Sequence, residues 1–128
     1  MKRVEILKAK DIMTRSAVNV KEDTPIYEAV KLLVEHNISD MPVVEDDMTL
    51  IGILSGKDLV TLYYGNEEDK KKTVADFMMQ PPIYFDENDS LKDVCDFLTK
   101  NIFTRVPITS GKKLVGIVSI KDVLESIV

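Results

Sequence analysis

The sequence predicts a mixed α+β fold made of two copies of one strand, helix, strand, strand, helix repeat (β-α-β-β-α), and three observations predict it. The heptad Gly52-Ile53-Leu54-Ser55-Gly56-Lys57-Asp58 returns as Gly116-Ile117-Val118-Ser119-Ile120-Lys121-Asp122, identical at five of seven positions. Residues 11–45 match residues 76–110 at a constant offset of 65, and residues 50–60 match 114–124 at an offset of 64, so one residue is missing from a turn. The same hydrophobic periods recur along both copies, the mark of a tandem duplication.

The elements follow in order. Short apolar strands are expected at Val18-Asn19-Val20 and Ile83-Tyr84-Phe85. Thr24 reads as an N-cap with Pro25 in the first helical position, followed by Ile26, Ala29, Val30 and Leu33 at i, i+3, i+4, i+7. The second copy repeats this with Asp89 as cap and Leu91, Val94, Cys95 and Leu98 as the stripe. Met41–Val44 with Leu50–Leu54, and Val106–Thr109 with Leu114–Val118, read as hairpins around polar turns. Pro42 and Pro107 lack a backbone donor, which assigns them to a strand start or an edge. A further helix is expected after Ser55, carrying Leu59, Val60, Leu62 and Tyr63, and another after Ser119, carrying Val123, Leu124, Ile127 and Val128. The organisation is a first repeat over 8–64, a linker over 65–73 and a second repeat over 74–128.

The bulk numbers narrow the function classes. A chain of 128 residues has the length of one ordinary domain, whereas a repeat of about 60 is marginal alone, so the halves are expected to share a core. No apolar run approaches the roughly 18 residues that span a bilayer, and the N-terminus lacks the apolar stretch of a secretory signal; no membrane insertion and a cytoplasmic location are expected. The net charge is −5, and the basic run Lys70–Lys72 lies beside Glu67, Glu68 and Asp69, which argues against a nucleic-acid partner. Cys95 is the sole cysteine and His36 the sole histidine; each has a structural reading, as a small core residue and at a helix end. Asp46 and Asp47 read as solvated turn carboxylates, and the methionines as core or cleft wall. No catalytic or metal-ligating set is readable, so the chain is not expected to be an enzyme.

The repeated heptad carries the chemistry. Read structurally, Ser-x-x-Asp is a capping box. Read functionally, a serine hydroxyl and free N–H groups at a helix start suit an oxyanion, while the carboxylate accepts hydrogen bonds from two ribose hydroxyls. The preceding Gly-Ile offers close approach to the strand, and two copies of the arrangement exceed what capping requires.

These residues carry a resemblance. Asp11-Ile12-Met13, the stretch His36 to Val44, the stretch Phe103 to Pro107 and both Gly-x-x-Ser-x-x-Asp endings resemble a cystathionine-β-synthase (CBS) domain pair, or Bateman module, over residues 8–128. The resemblance implies pseudo-twofold symmetry, two clefts, a homodimer, and regulatory binding of AMP, ADP, ATP or S-adenosylmethionine, with no obligatory cofactor and a regulated partner protein. Carried over, one cleft uses Ser55, Lys57 and Asp58 with Ile83, Phe103, Thr104, Arg105 and Pro107, Arg105 meeting the phosphate. The other uses Ser119, Lys121 and Asp122 with Thr14, Val18, Ile38, Ser39 and Pro42. There Arg105 is replaced by Asp40, which disfavours phosphate and leaves that cleft to an uncharged-tail or cationic adenosyl ligand. The competing reading is a constitutive interaction scaffold whose heptads are helix caps alone.

Overall fold

The computed structural model describes residues 6–128. In chain order its elements are α1 (Ala9–Ile12), α2 (Ile26–Glu35), β1 (Asp40–Val44), β2 (Leu50–Ser55), a 3-10 helix (Gly56–Tyr64) and two 3-10 turns (Glu67–Lys71, Val74–Asp76). Then come β3 (Phe85–Asp86), α3 (Leu91–Lys100), β4 (Arg105–Ser110), β5 (Lys113–Ser119) and α4 (Ile120–Ile127). Mixed helices and sheets make this an α+β fold.

Two compact units result, but they are not the two sequence repeats. One is Val18–Pro82; the other joins the described residues up to Ala17 to Ile83–Val128. The repeats have exchanged their leading segments, and the bonds that hold each segment match at the offset of 65. In the second unit Ala9 N–H donates to Asp89 O (2.9 Å), Lys10 N–H to Glu87 O (3.0 Å), and Leu91 N–H to Leu7 O (2.8 Å). In the first, Val74 N–H donates to Thr24 O (3.0 Å), Ala75 N–H to Glu22 O (2.9 Å), and Ile26 N–H to Lys72 O (3.0 Å). The expected shared core is accordingly replaced by two clusters. Ile26, Ala29, Leu33, Met41, Val43, Leu54 and Leu59 pack with the borrowed Val74; Leu91, Val94, Leu98, Val106, Ile108 and Val118 pack with the borrowed Ala9 and Met13.

Both amphipathic helices form where the stripes place them, with their caps one residue later than expected. Pro25 rather than Thr24 holds the N-cap position of α2, and Ser90 rather than Asp89 caps α3, its Oγ accepting from Asp93 N–H at 3.2 Å. Helix α2 stops at His36. Asn37 takes φ +53°, its N–H bonding Val34 O (3.1 Å), and Ile38 N–H reaches back to Leu33 O (3.0 Å). That is a Schellman ending, in which asparagine adopts the left-handed conformation other residues avoid.

The hairpins are antiparallel, Met41 opposite Leu54 and Val106 opposite Val118, with matching irregularities at Val43/Val44 and Ile108/Thr109. The leading strands are shorter than expected: Val20 makes one parallel bridge to Val43, and Phe85–Asp86 pairs with Ile108–Thr109. These partners begin one residue past Pro42 and Pro107, which sit third in their strands rather than at a strand start, Pro107 in the central strand β4 of its sheet, where only the residues after it pair with β3. The element after Ser55 is a 3-10 helix, a correction to the α-helix expected there, while α4 after Ser119 is α-helical.

Candidate functional site

Each heptad ends a hairpin and opens a helix, and the backbone of that junction is the same in both units. Gly56 N–H donates to Ser39 O (2.6 Å), as Ile120 N–H does to Thr104 O (2.9 Å). The borrowed segment lies antiparallel beside the heptad. Thr14 exchanges both backbone bonds with Ile117 (2.8 and 2.9 Å), and Met79 does so with Ile53 (2.8 and 3.0 Å).

This explains the heptad glycines differently from the expected ligand approach. A Cβ on Gly116 would stand 2.8 Å from Met13 Sδ and 2.9 Å from Thr14 O, and one on Gly52 2.9 Å from Met78 Sδ and 3.1 Å from Met79 O. The space that glycine opens is filled by the chain's own exchanged segment.

The side chains then diverge. In the second unit Ser119 and Asp122 form a complete capping box. Ser119 Oγ accepts from Asp122 N–H (3.1 Å) and donates to Asp122 Oδ2 (3.0 Å), which also accepts from Ser119 N–H (2.9 Å). Thr14 Oγ1 adds a fourth bond, donating to Asp122 Oδ1 at 3.1 Å. In the first unit Ser55 makes no side-chain cap, and Asp58 is exposed with no hydrogen-bond partner among the described residues. The position of Thr14 is occupied by Met79, which has no hydroxyl to donate. The sequence assigns Met79, with the other methionines, to core or cleft wall; the offset of 65 makes it the counterpart of Thr14.

The remaining expected site residues are distributed as follows. Ser55, Lys57 and Asp58 belong to the first unit together with Val18, Ile38, Ser39 and Pro42, whereas Thr14, Ile83, Phe103, Thr104, Arg105, Pro107, Ser119, Lys121 and Asp122 belong to the second. Arg105 opens β4 opposite Ser119, and Asp40 opens β1 opposite Ser55 with 7% of its surface exposed. Phe103 stacks on Phe97 with ring centroids 6.0 Å apart, and Phe97 meets Phe85 edge-on at 5.7 Å. Ile38 and Val18 pack on the first core, and both lysines are exposed.

The other reactive groups have local roles. Burial beside the second core pushes the Cys95 thiol up from its ordinary value, and Asp96 adds to the effect, so it stays a protonated, partly buried packing residue. Asp47 accepts from Thr49 N–H at 3.0 Å within the β1–β2 turn. No group of three or more metal-ligating side chains occurs among the described residues. No helix among them is long and apolar enough to cross a membrane.

Residues 9–65 and 74–128 each match the family model for the CBS domain. The chain belongs to the CBS domain family. Among curated relatives of this CBS pair is the uncharacterized protein YlbB of Bacillus subtilis, 31% identical over 116 residues that cover 90% of this chain and 78% of the relative. Others are longer, and the chain spans 41% of one and 23% of another. Among solved structures, CBSX2 in complex with AMP superposes with a TM-score of 0.83 at 30% identity, covering 94% of this chain and 95% of that one. CBSX2 is a CBS-pair protein of Arabidopsis thaliana. The CBS pair of MJ0100, in complex with 5-methylthioadenosine and S-adenosyl-L-methionine, superposes with a TM-score of 0.79 at 28% identity, covering 95% and 96%.

Proposed function

We propose that this CBS pair is a regulatory, non-enzymatic module that binds an adenosine-containing ligand, from AMP, ADP and ATP to S-adenosylmethionine, and reports occupancy to a partner protein. The observation that carries the reading is the open Asp58. A heptad that served only as a helix cap would engage its serine and its acid, as Ser119 and Asp122 do; Ser55 and Asp58 engage neither. An exposed carboxylate without a partner among the described residues, in the first turn of the 3-10 helix that follows β2, is chemically ready to accept the two hydroxyls of a ribose. The AMP in CBSX2 and the adenosyl compounds in MJ0100 support the ligand class. The capping box at Ser119 favours the scaffold reading for the second heptad alone.

Such a sensor needs two arrangements with different ligand affinity. Each unit keeps apolar side chains in solvent on its last helix: Val60 and Tyr63 in the first, Leu124 and Ile127 in the second. We assign these faces to a homodimer, and light scattering on the protein at micromolar concentration is expected to give twice the 14.5 kDa chain mass. A monomer with and without AMP would remove the homodimer from the account.

Titration calorimetry with adenosine, AMP, ATP and S-adenosylmethionine tests the ligand reading, with guanosine nucleotides as controls. Arg105→Ala is expected to weaken AMP by about 1.5–3 kcal/mol and adenosine far less, because only AMP has a phosphate for the guanidinium. Equal losses would return Arg105 to a structural role. Binding of none of the adenosine compounds would leave the scaffold reading in place.

A further inference from the structure

We infer that the element Gly56–Tyr64 is a conformational switch with two helical forms: the 3-10 helix of this structure, and an α-helix like its copy Ile120–Ile127 that turns Tyr63 out of solvent onto the face of Leu59. The change lies within the unit Val18–Pro82 and does not depend on the adenosine reading.

A 3-10 run of nine residues is long for its kind. Its hydrogen bonds are less well aligned than those of an α-helix, so runs beyond about three or four residues are uncommon. Side chains three apart eclipse, which divides the element into three rows. Leu59 and Leu62 form the row that packs on the first core; Val60 and Tyr63 form a second row in solvent, Tyr63 with 96% of its surface exposed, and Tyr64 ends the third, also exposed. In an α-helix one face repeats at i, i+3 and i+4, so Leu59, Leu62 and Tyr63 would share it. The sequence carries the α-helical period, and the structure holds it in the other form. Its copy shows what the α form gains: Ile127, the counterpart of Tyr63 at the offset of 64, is 53% exposed.

What holds the 3-10 form is local and small. Gly56 N–H donates to Ser39 O at 2.6 Å, closer than the 2.9 Å from Ile120 N–H to Thr104 O, and a Cβ on Gly56 would stand 2.7 Å from Ser39 O. The missing side chain lets the first turn draw onto that carbonyl. The α form has its own support, because Ser55 and Asp58 keep the spacing with which Ser119 and Asp122 close a capping box. Nine residues rise about 18 Å as a 3-10 helix and about 13.5 Å as an α-helix. The difference falls on the exposed Gly65, ahead of the turn that Asn66 caps. Two forms with opposing local advantages and an exit that can lengthen make a switch. The row of Val60 and Tyr63 is part of the face assigned above to a homodimer, and the switch presents that row in one form and withdraws Tyr63 from it in the other.

The chain contains no tryptophan, so Tyr63→Trp, at an exposed position, gives the full chain a single indole emission. In that background Gly56→Ala pushes the first turn off Ser39 O and favours the α-helix. It is expected to move the emission to shorter wavelength and to lower the acrylamide quenching constant roughly twofold, following the exposures of Tyr63 and Ile127. Thr61→Ala, at an exposed position, raises α-helical propensity without touching Ser39 and should move both signals the same way by less, which keeps the test open if Gly56→Ala fails to fold. Circular dichroism checks the fold of each variant. In the parent, amide nitrogen relaxation dispersion is expected to show microsecond-to-millisecond exchange across 57–65, from an α-helical population of roughly 1–10%, and none across 121–127. Emission and quenching unmoved in the folded variants, or flat dispersion across 57–65, overturns the inference.

Discussion

The unit of Val18–Pro82 and the unit completed by Ile83–Val128 hang on one backbone frame. Segment exchange, hairpin register, strand irregularity and the anchor at the start of the last helix all correspond at the repeat offset. What separates them is hydrogen-bonding side chains laid on that frame. The second unit spends its serine, its threonine and its aspartate on one another, and its last helix is a capped α-helix. The first leaves the equivalent serine and aspartate unbonded and begins its last helix as a 3-10 turn. Duplication kept the apolar pattern that folds the chain and the serine and aspartate of the heptad, and divergence fell on the residues around them, Thr14 against Met79 and Ile120 against Gly56.

That comparison is breakable at several points, the largest effect being expected at the exchanged segments. Gly116→Ala places a Cβ 2.9 Å from the Thr14 carbonyl, a backbone atom that cannot swing away, and should destabilise the protein by about 1–3 kcal/mol in urea unfolding. Gly52→Ala meets its carbonyl at 3.1 Å and should cost less. A larger loss at Gly52 would contradict the equivalence of the two frames.

The second effect has the opposite sign. Thr109 is 1% exposed, its hydroxyl has no hydrogen-bond partner among the described residues, and Val44 fills the same place in the first unit. Thr109→Val is therefore expected to stabilise the protein by about 1 kcal/mol, since it removes a desolvated hydroxyl at constant shape. Destabilisation would show that the hydroxyl is satisfied in solution.

Capping comes third. Ser119→Ala should cost about 1 kcal/mol by chemical denaturation, whereas Ser55→Ala, which breaks no cap, should cost a few tenths at most. Equal costs would mean that both heptads are caps.

The smallest effect is one the units share. Hydrogen bonds from Lys92 and Lys72 hold Asp96 and Asp69 below the ordinary carboxyl value of 3.8. A lowered carboxyl stabilises the folded state above pH 3.8 and loses that contribution as the pH falls through its native value. Lys92→Met and Lys72→Met should each return the partner's titration midpoint toward 3.8 in a carbon-detected titration, and an unmoved midpoint would refute the pairing. Both pairs lie at the surface with their lysines open to solvent, although Asp69 is half-buried, so global stability should barely respond.

The sequence carried the architecture because apolar period is a strong local signal: the stripe at Ile26, Ala29 and Leu33 and its copy at Leu91, Val94 and Leu98 form the helices that the spacing predicts. The exchange of leading segments was not legible, because Ala9 and Val74 are apolar and fit either core; nothing in a local pattern says which hairpin a segment joins. Nor was the 3-10 start at Gly56. It depends on how near Ser39 O comes to one missing Cβ, a tertiary fact. Ser55, Asp58, Ser119 and Asp122 were legible as a repeated chemistry, but their opposite states were not, since Thr14 and Met79 lie in leading segments, each of which bridges to its heptad only in the folded chain.

The account's central claim is that Asp58 and Asp122, identical in the repeat, have parted in function. Carboxyl carbon resonances of both residues, followed by NMR as AMP is added to the full chain, test this most directly. The account predicts that the Asp58 resonance moves with saturation while that of Asp122, held by Thr14 and Ser119, stays in place. A shift at Asp122 with Asp58 unmoved would contradict it.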